Sequence, residues 1–299
     1  MSSNTIKVNK DDKFKKLSNI HPCLGGEAHT KYGRVHLPVS PTCNIQCKFC
    51  KRDCNEDEDR PGVANGILHP KDAVATVKKA LELCPEITVV GIAGPGDTLA
   101  TGYAIETFRL VHEAYPDLVE CLSTNGLLLE RYADDLYEAG VSTITVTVNA
   151  VDPKIQSQII SNVILDGKVY FGEEAAKILI DAQLRGIKKI SELGVIVKVN
   201  TVLVPGINDK HIEETAKTVK EAGATLYNII PLIPQHDLSH VPAPTCQQLD
   251  NARLEAEKYL EVFRHCKHCR ADACGIPGKK DLSSLLYGKR NDLETFSHG

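Results

Sequence analysis

With 299 residues the chain can bury a sizeable core without covalent staples, and 35 basic against 39 acidic residues leave a net charge of −4. That balance, with nine Tyr, six Phe and no Trp, excludes a basic surface studded with stacking aromatics, so no nucleic-acid partner is expected. The eleven cysteines are too sparse for a disulfide scaffold and, being odd in number, cannot all be paired.

The lysine-rich opening MSSNTIKVNKDDKFKKLSNI has no apolar signal region, and no apolar run approaches the length of a membrane span. A cytoplasmic setting with no membrane partner is expected. In a reducing compartment, clustered thiols serve metals or catalysis.

Beyond the opening, Val/Ile/Thr-rich runs alternate with longer amphipathic segments. Strands are expected over 33–39, 86–93, 118–124, 142–149, 194–204 and 225–233, apolar on both faces as in a buried parallel sheet. Helices are expected over 70–83, 101–115, 130–139, 173–192, 208–222 and 245–264, with Pro70 and Asp72 marking one start and Asn208-Asp209 another. Six βα units imply right-handed crossovers and place ligands beyond the carboxyl ends of the strands. Periodicity alone leaves a flat sheet and a curved barrel equally open. From residue 265 the pattern changes to HCKHCRADACGIPGKKD, which has no core periodicity. The chain thus divides into an extension over 1–32, a βα array over 33–264 and a Cys/His-rich tail over 265–299.

Directly after the first expected strand comes PTCNIQCKFCKRDC, with Cys43, Cys47, Cys50 and Cys54. Cysteines at i, i+4 and i+7 would also make one face of a buried helix, but Pro41, Asn44, Gln46, Lys48, Lys51 and Arg52 suit a loop better than a core helix. Three thiols gathered from one loop are how iron–sulfur clusters are held, and a cubane with three protein ligands keeps one iron open to a substrate. In the tail, Cys266 and Cys269 have CxxC spacing beside His265 and His268, with Cys274 following. A structural zinc site is the alternative there, although no second pair completes four ligands. Cys84, just before Pro85, reads as packing.

The segment CNIQCKFC at the end of the first expected strand resembles the CxxxCxxC signature of the radical S-adenosylmethionine (SAM) enzymes. That resemblance implies an α/β fold, a partial TIM-type (βα)6 barrel here flanked by N- and C-terminal cluster-binding extensions. It also implies a 4Fe-4S cluster whose open iron holds the amino and carboxylate groups of SAM, and cleavage of SAM to methionine and a 5′-deoxyadenosyl radical. GIAGPGD, with Gly91, Gly94 and Gly96, takes the place of the family's glycine-rich methionine-binding motif, while a dinucleotide GxGxxG is not matched. Ser123, Asn125, Asn149 and Asn200 fall at or near strand ends, where each is placed to hydrogen-bond SAM. Capping of a neighbouring turn explains any one of them alone equally well.

A wider set of segments resembles the nitrogenase-cofactor maturase family of radical SAM proteins, in the short form without a C-terminal NafY/NifX-type domain. They are HPCLGGEAH, RVHLPVSPTCNIQCKFC, RPGV, GIAGPGD, LSTNG, VTVNAVDP, VKVNTVLVPGIND and HCKHCRADACG. The resemblance implies fusion of two auxiliary 4Fe-4S clusters, with a carbide drawn from SAM and an added sulfur, into an eight-iron precursor of the nitrogenase cofactor. Methyl transfer and hydrogen abstraction by the deoxyadenosyl radical are the implied steps. Carried over residue by residue, Cys43, Cys47 and Cys50 hold the SAM cluster and are catalytic. Cys23, Cys54 and Cys121 hold one auxiliary cluster with a histidine, His36 being preferred to His21, and Cys266 with Cys269 hold the other. Cys84, Cys246 and Cys274 are left over, Cys274 as a possible extra ligand. Glu27, Glu58 and Arg60 lie near the cluster segments, as proton carriers or as a solvated loop. The implied partners are an iron–sulfur cluster donor, an electron donor and a carrier or scaffold that receives the product. Two other readings remain, a radical SAM enzyme acting on a peptide or small molecule and a ferredoxin-like electron carrier using Cys47, Cys50 and Cys54.

Overall fold

Six parallel strands, each followed by a helix, occupy the middle of the chain in the computed structural model, which describes residues 9–288. They are β1 (Gly33–His36), β2 (Ile87–Ile92), β3 (Val119–Thr124), β4 (Thr143–Thr147), β5 (Ile196–Leu203) and β6 (Leu226–Pro231). The helices are α1 (Ala73–Leu83), α2 (Tyr103–Ala114), α3 (Leu129–Glu138), α4 (Gly172–Glu192), α5 (Ile212–Ala222) and α6 (Cys246–Glu257). The strands neighbour one another in chain order and every pair is parallel. With no reversal of strand order, right-handed crossovers keep all the helices on one face, and the sheet curls into an open barrel rather than a doubly wound layer.

Alternation along the strands then decides what lies inside. Val35, Val90, Ile92, Leu122, Ile144, Val146, Val197, Val199, Tyr227 and Ile229 join the main core under the helices. The residues between them face inward, and they include His36, Gly91, Cys121, Ser123, Thr145, Thr147, Lys198 and Asn200. The inner face is therefore mixed, with Val89, Val202 and Ile230 among its polar and sulfur-bearing residues. The expected two-sided strands hold in part: the outer face packs into the main core, while the inner face mixes hydrocarbon with the polar groups that line the hollow.

The two flanks also differ from expectation. Helix α6 stops at Glu257, and Glu261–Val262 adds a short parallel strand beside β6. The tail is part of the sheet: Cys274–Ile276 pairs antiparallel to β1, aligning Val35 with Cys274, and Lys280–Asp281 pairs with it in turn. Strands of two and three residues are too short to give a readable period. Cys274 is fully buried in the main core, which removes it as a cluster ligand, and Cys84 packs there as expected. Residues 289–299 of the expected tail lie outside the described residues, as do residues 1–8 of the N-terminal extension. Between β4 and α4 the chain inserts the helix Pro153–Ile159, capped by Asp152, and a hairpin of Ile160–Leu165 and Lys168–Phe171. Ile45–Cys47 pairs with that hairpin, so the insertion buttresses the cysteine loop. Among the described residues no helix is long and apolar enough to cross a membrane.

Glu120 on β3 is fully buried, its carboxylate oxygens accept no hydrogen bond, and His112 Nδ1 stands 3.5 Å away. Burial pushes its carboxyl up to about 8 from an ordinary 4.5. The folded chain thus keeps a proton that the unfolded chain releases. The stability this confers is whole below the ordinary value and is lost as pH rises through the folded one. Thermal melts of Glu120→Gln should match the parent near pH 5 and exceed it by roughly 3–8 °C near pH 9. Equal melting temperatures at the higher pH would contradict this account of Glu120.

Candidate active site

Two cavities lie at the barrel interior and share Phe49, Cys50, Ala93, Pro95, Ser123 and Thr147. The smaller, about 170 Å³, is lined by Cys43, Cys47 and Cys50, with Asp97, Asn125, Asn149 and Gln156 among its other walls. Its cysteine loop is held from within: Gln46 Nε2 donates to the carbonyls of Cys47 at 2.9 Å and Cys50 at 3.0 Å, and Arg52 donates to Gln46 Oε1 at 2.7 Å. Asn125 Nδ2 donates to Asn44 Oδ1 at 2.6 Å. Asp97, fully enclosed, accepts from the backbone N–H groups of Asn125 at 2.6 Å and Leu99 at 3.0 Å and from the Thr124 hydroxyl. These bonds tie the end of β3 to the loop after β2.

Burial pushes all three thiols upward, Cys43 to about 11, and in Cys50 the neighbouring Arg52 and Arg60 oppose that push. A desolvated thiol cluster of this kind is unfavourable as free thiolates and becomes favourable when a cation accepts the sulfurs. The donor set therefore fits an iron–sulfur cluster with three protein ligands.

The larger cavity, about 330 Å³, is lined by Cys23, Cys121, Cys266 and Cys269 together with His21, His36, Arg34, Arg60 and Lys198. Strand register explains part of this convergence. His36 of β1 aligns with Gly91 of β2, and Gly91 with Cys121 of β3. A Cβ on Gly91 would stand 2.9 Å from His36 Cδ2, so the bare glycine lets the imidazole lie across β2 towards Cys121.

The two histidines separate on their hydrogen bonds. His21 Nδ1 accepts from the Cys23 N–H at 3.0 Å, and its Nε2 meets the Thr143 hydroxyl at 3.4 Å, so both nitrogens are engaged by the protein. His36 Nδ1 lies 3.1 Å from the Arg270 carbonyl, which can only accept. The proton must then sit on Nδ1, leaving a lone pair on Nε2. Burial lowers His36 to about 4 and His21 to about 3, so both are neutral at pH 7.

Other expected residues are placed less simply. Cys54 is buried on the two-residue strand Asp53–Cys54 and lines neither cavity. Gly94 lines neither cavity, and a Cβ on Gly96 would sit 1.9 Å from the Thr42 carbonyl oxygen, so the glycine at 96 admits the chain's own cysteine loop. Asn149 Oδ1 accepts from the Val202 N–H at 3.0 Å, as a capping residue would, while still lining the smaller cavity. Asn200 faces the larger cavity and accepts from Asn228 at 3.0 Å. Ser123 borders both. Glu58 pairs with Arg60 at 2.7 Å, Glu27 is exposed, and Cys246 is exposed at the start of α6. Among the described residues no group of three or more His, Cys, Asp or Glu converges on a single ion, and the tail thiols face the large cavity instead. Asp97, Arg34 and Lys198 were missed. A lone lysine inside the apolar run GVIVKVNTVLV was the one legible signal among them.

The chain matches the radical SAM superfamily over residues 37–219. It is 48% identical to "FeMo cofactor biosynthesis protein NifB" of Methanocaldococcus infernus, across 97% of this chain and 100% of that one. It is 46% identical to the protein of the same name from Methanocaldococcus jannaschii, across 97% and 99% of the two chains. Among solved structures, a radical SAM methyltransferase from Sphaerobacter thermophilus superposes with a TM-score of 0.55 at 18% identity, covering 77% of this chain and 65% of that one, a likeness of fold alone.

The clash at Gly96 gives a direct check. Gly96→Ala should lower the melting temperature by roughly 3–10 °C, the usual cost of overpacking against fixed backbone. Gly102→Ala, where nothing lies within 4 Å, should move it far less. Equal shifts in the two variants would refute the packing role.

Proposed function

The chain belongs to the radical SAM superfamily and, within it, to the NifB family of FeMo-cofactor biosynthesis proteins, and from that premise we propose that it joins two 4Fe-4S clusters into an eight-iron precursor. A carbon taken from SAM by methyl transfer and hydrogen abstraction becomes the central carbide, and one sulfur is added. The observation that carries this reading is the shared wall between the two cavities: the loop holding Cys43, Cys47 and Cys50 also borders the chamber of Cys23, His36, Cys121, Cys266 and Cys269.

Membership implies SAM and a 4Fe-4S cluster at Cys43, Cys47 and Cys50, and when bound there they supply the 5′-deoxyadenosyl radical. The chain's own residues do the rest by placement. Asn125, Asn149 and Ser123 offer polar groups to SAM from the strand ends, and Asp97 keeps Asn125 in place. Phe49 and Pro95 separate the chambers with apolar surface, which keeps water from a radical in transit. On the substrate side, Cys23, Cys121 and the Nε2 of His36 grip one cluster, and Cys266 with Cys269 grip the second. Cys54, carried into the first set by resemblance, has no support there from the cavity wall. A neutral imidazole leaves a metal more readily than a thiolate, since protonation competes for its lone pair, and that suits a substrate to be released.

Anaerobic reconstitution should load about twelve irons per chain, four for each of three cubanes, and about a third should be lost when Cys43, Cys47 and Cys50 are all changed to Ala. Saturation at about four would remove the auxiliary clusters. Incubation with SAM, sulfite and dithionite should yield S-adenosylhomocysteine together with 5′-deoxyadenosine. Deoxyadenosine alone would favour a radical SAM enzyme with an organic substrate, and neither product would favour an electron carrier. His36→Ala should spare SAM cleavage and cut the yield of the eight-iron product; an unchanged yield would remove His36 from the ligand set.

A further inference from the structure

The larger cavity encloses two positive charges that have no carboxylate partner. Arg34 and Lys198 are each 7% exposed, and among the described residues neither makes an ion pair. Lys198 Nζ donates to the Cys23 carbonyl at 3.2 Å and stands 5.5 Å from the centre of the Phe263 ring. Arg34 donates to the Gly275 carbonyl at 2.6 Å and to Cys269 Sγ at 3.1 Å, while its Nε has no partner. Cys23, Cys121 and Cys269 line the same cavity as the two cations.

Buried unpaired charge is costly, and a fold retains it where an anion offsets it. The protein supplies none here: a histidine brings no negative charge, and the carboxylate of Asp281, which Arg34 senses, is exposed and beyond ion-pair reach. A reduced, thiolate-ligated iron–sulfur cluster supplies it: two thiolates balance an oxidised cubane core, one-electron reduction leaves the cluster net negative, and any third thiolate adds a further negative charge.

Resting on the reading of the preceding subsection, we infer that Lys198 and Arg34 form an electrostatic seat for the anionic iron–sulfur substrate, Lys198 serving the Cys23 and Cys121 side and Arg34 the Cys269 side. They are positioning residues: they ligate nothing and fix where an anionic cluster rests and how easily it is reduced. The seat selects for charge, so a neutral guest of the same size gains nothing from it.

Lys198→Gln keeps a donor for the Cys23 carbonyl and removes only the charge, and Lys198→Arg keeps the charge. After anaerobic reconstitution of the full chain, Lys198→Gln should hold fewer irons, falling from about twelve towards eight per chain, with the SAM-cluster signal kept. Any auxiliary cluster that it retains should show a more negative midpoint potential in an EPR-monitored redox titration. Lys198→Arg should restore both values. Iron content and midpoint unchanged in Lys198→Gln would overturn the inference, as would failure of Lys198→Arg to restore either. Should Lys198→Gln not fold, Arg34→Gln carries the same comparison with Arg34→Lys as its rescue. A parent chain that saturates at about four irons would instead sink the proposed function, so the two failures are distinguishable.

Discussion

The carbonyl oxygen of Arg270 can only accept a hydrogen bond, and the contact it makes with His36 therefore decides the character of the whole barrel interior. It places the proton on Nδ1, keeps Nε2 basic, and does so by way of a tail strand laid antiparallel on β1. The same docking brings Cys269 against Arg34 and lets Arg270 reach back to the carbonyl of Asn55 at 2.8 Å and to Asn65 at 2.7 Å. Sheet edge, cysteine loop and interior are thus one mechanical unit. A disturbance at the tail reaches the histidine through hydrogen bonds of defined direction.

What distinguishes this barrel from a filled one is the chemistry of its inner face. In a packed interior, layers of branched side chains exclude everything else. Here the inward positions carry sulfur, imidazole, hydroxyl and ammonium groups around a hollow of about 330 Å³. Such groups are expensive to bury without partners, and the outer face compensates with a continuous hydrocarbon core that extends from Val35 to Ile229. The fold is stable because of one face of each strand and chemically competent because of the other.

The sequence made the scaffold legible through its repeated βα rhythm, and the cysteine loop through the proline and polar residues around its thiols, which a core helix would not carry. It misled where burial hides chemistry. Strands shielded on both sides read as mostly apolar, so Lys198 within one of them was missed. The tail seemed shapeless because three-residue strands carry no period, although Cys274 packs as firmly as Cys84. His36 was preferred to His21 only by resemblance, because their difference lies in which backbone groups surround them, and His36 meets a carbonyl more than 230 residues further along the chain. Cys54 was legible only through family resemblance, and in the fold it is buried on a two-residue strand beside the cysteine loop.

The central claim is that the lone pair of His36 faces the substrate chamber as a ligand. Electron spin-echo modulation spectroscopy on the reduced, reconstituted protein tests it most directly, with the SAM cluster removed by changing Cys43, Cys47 and Cys50 to Ala. The account predicts a strong nitrogen coupling to an auxiliary cluster, altered when histidine is labelled with nitrogen-15 and absent in a further His36→Ala variant. No nitrogen coupling, or one that survives the loss of His36, would contradict it.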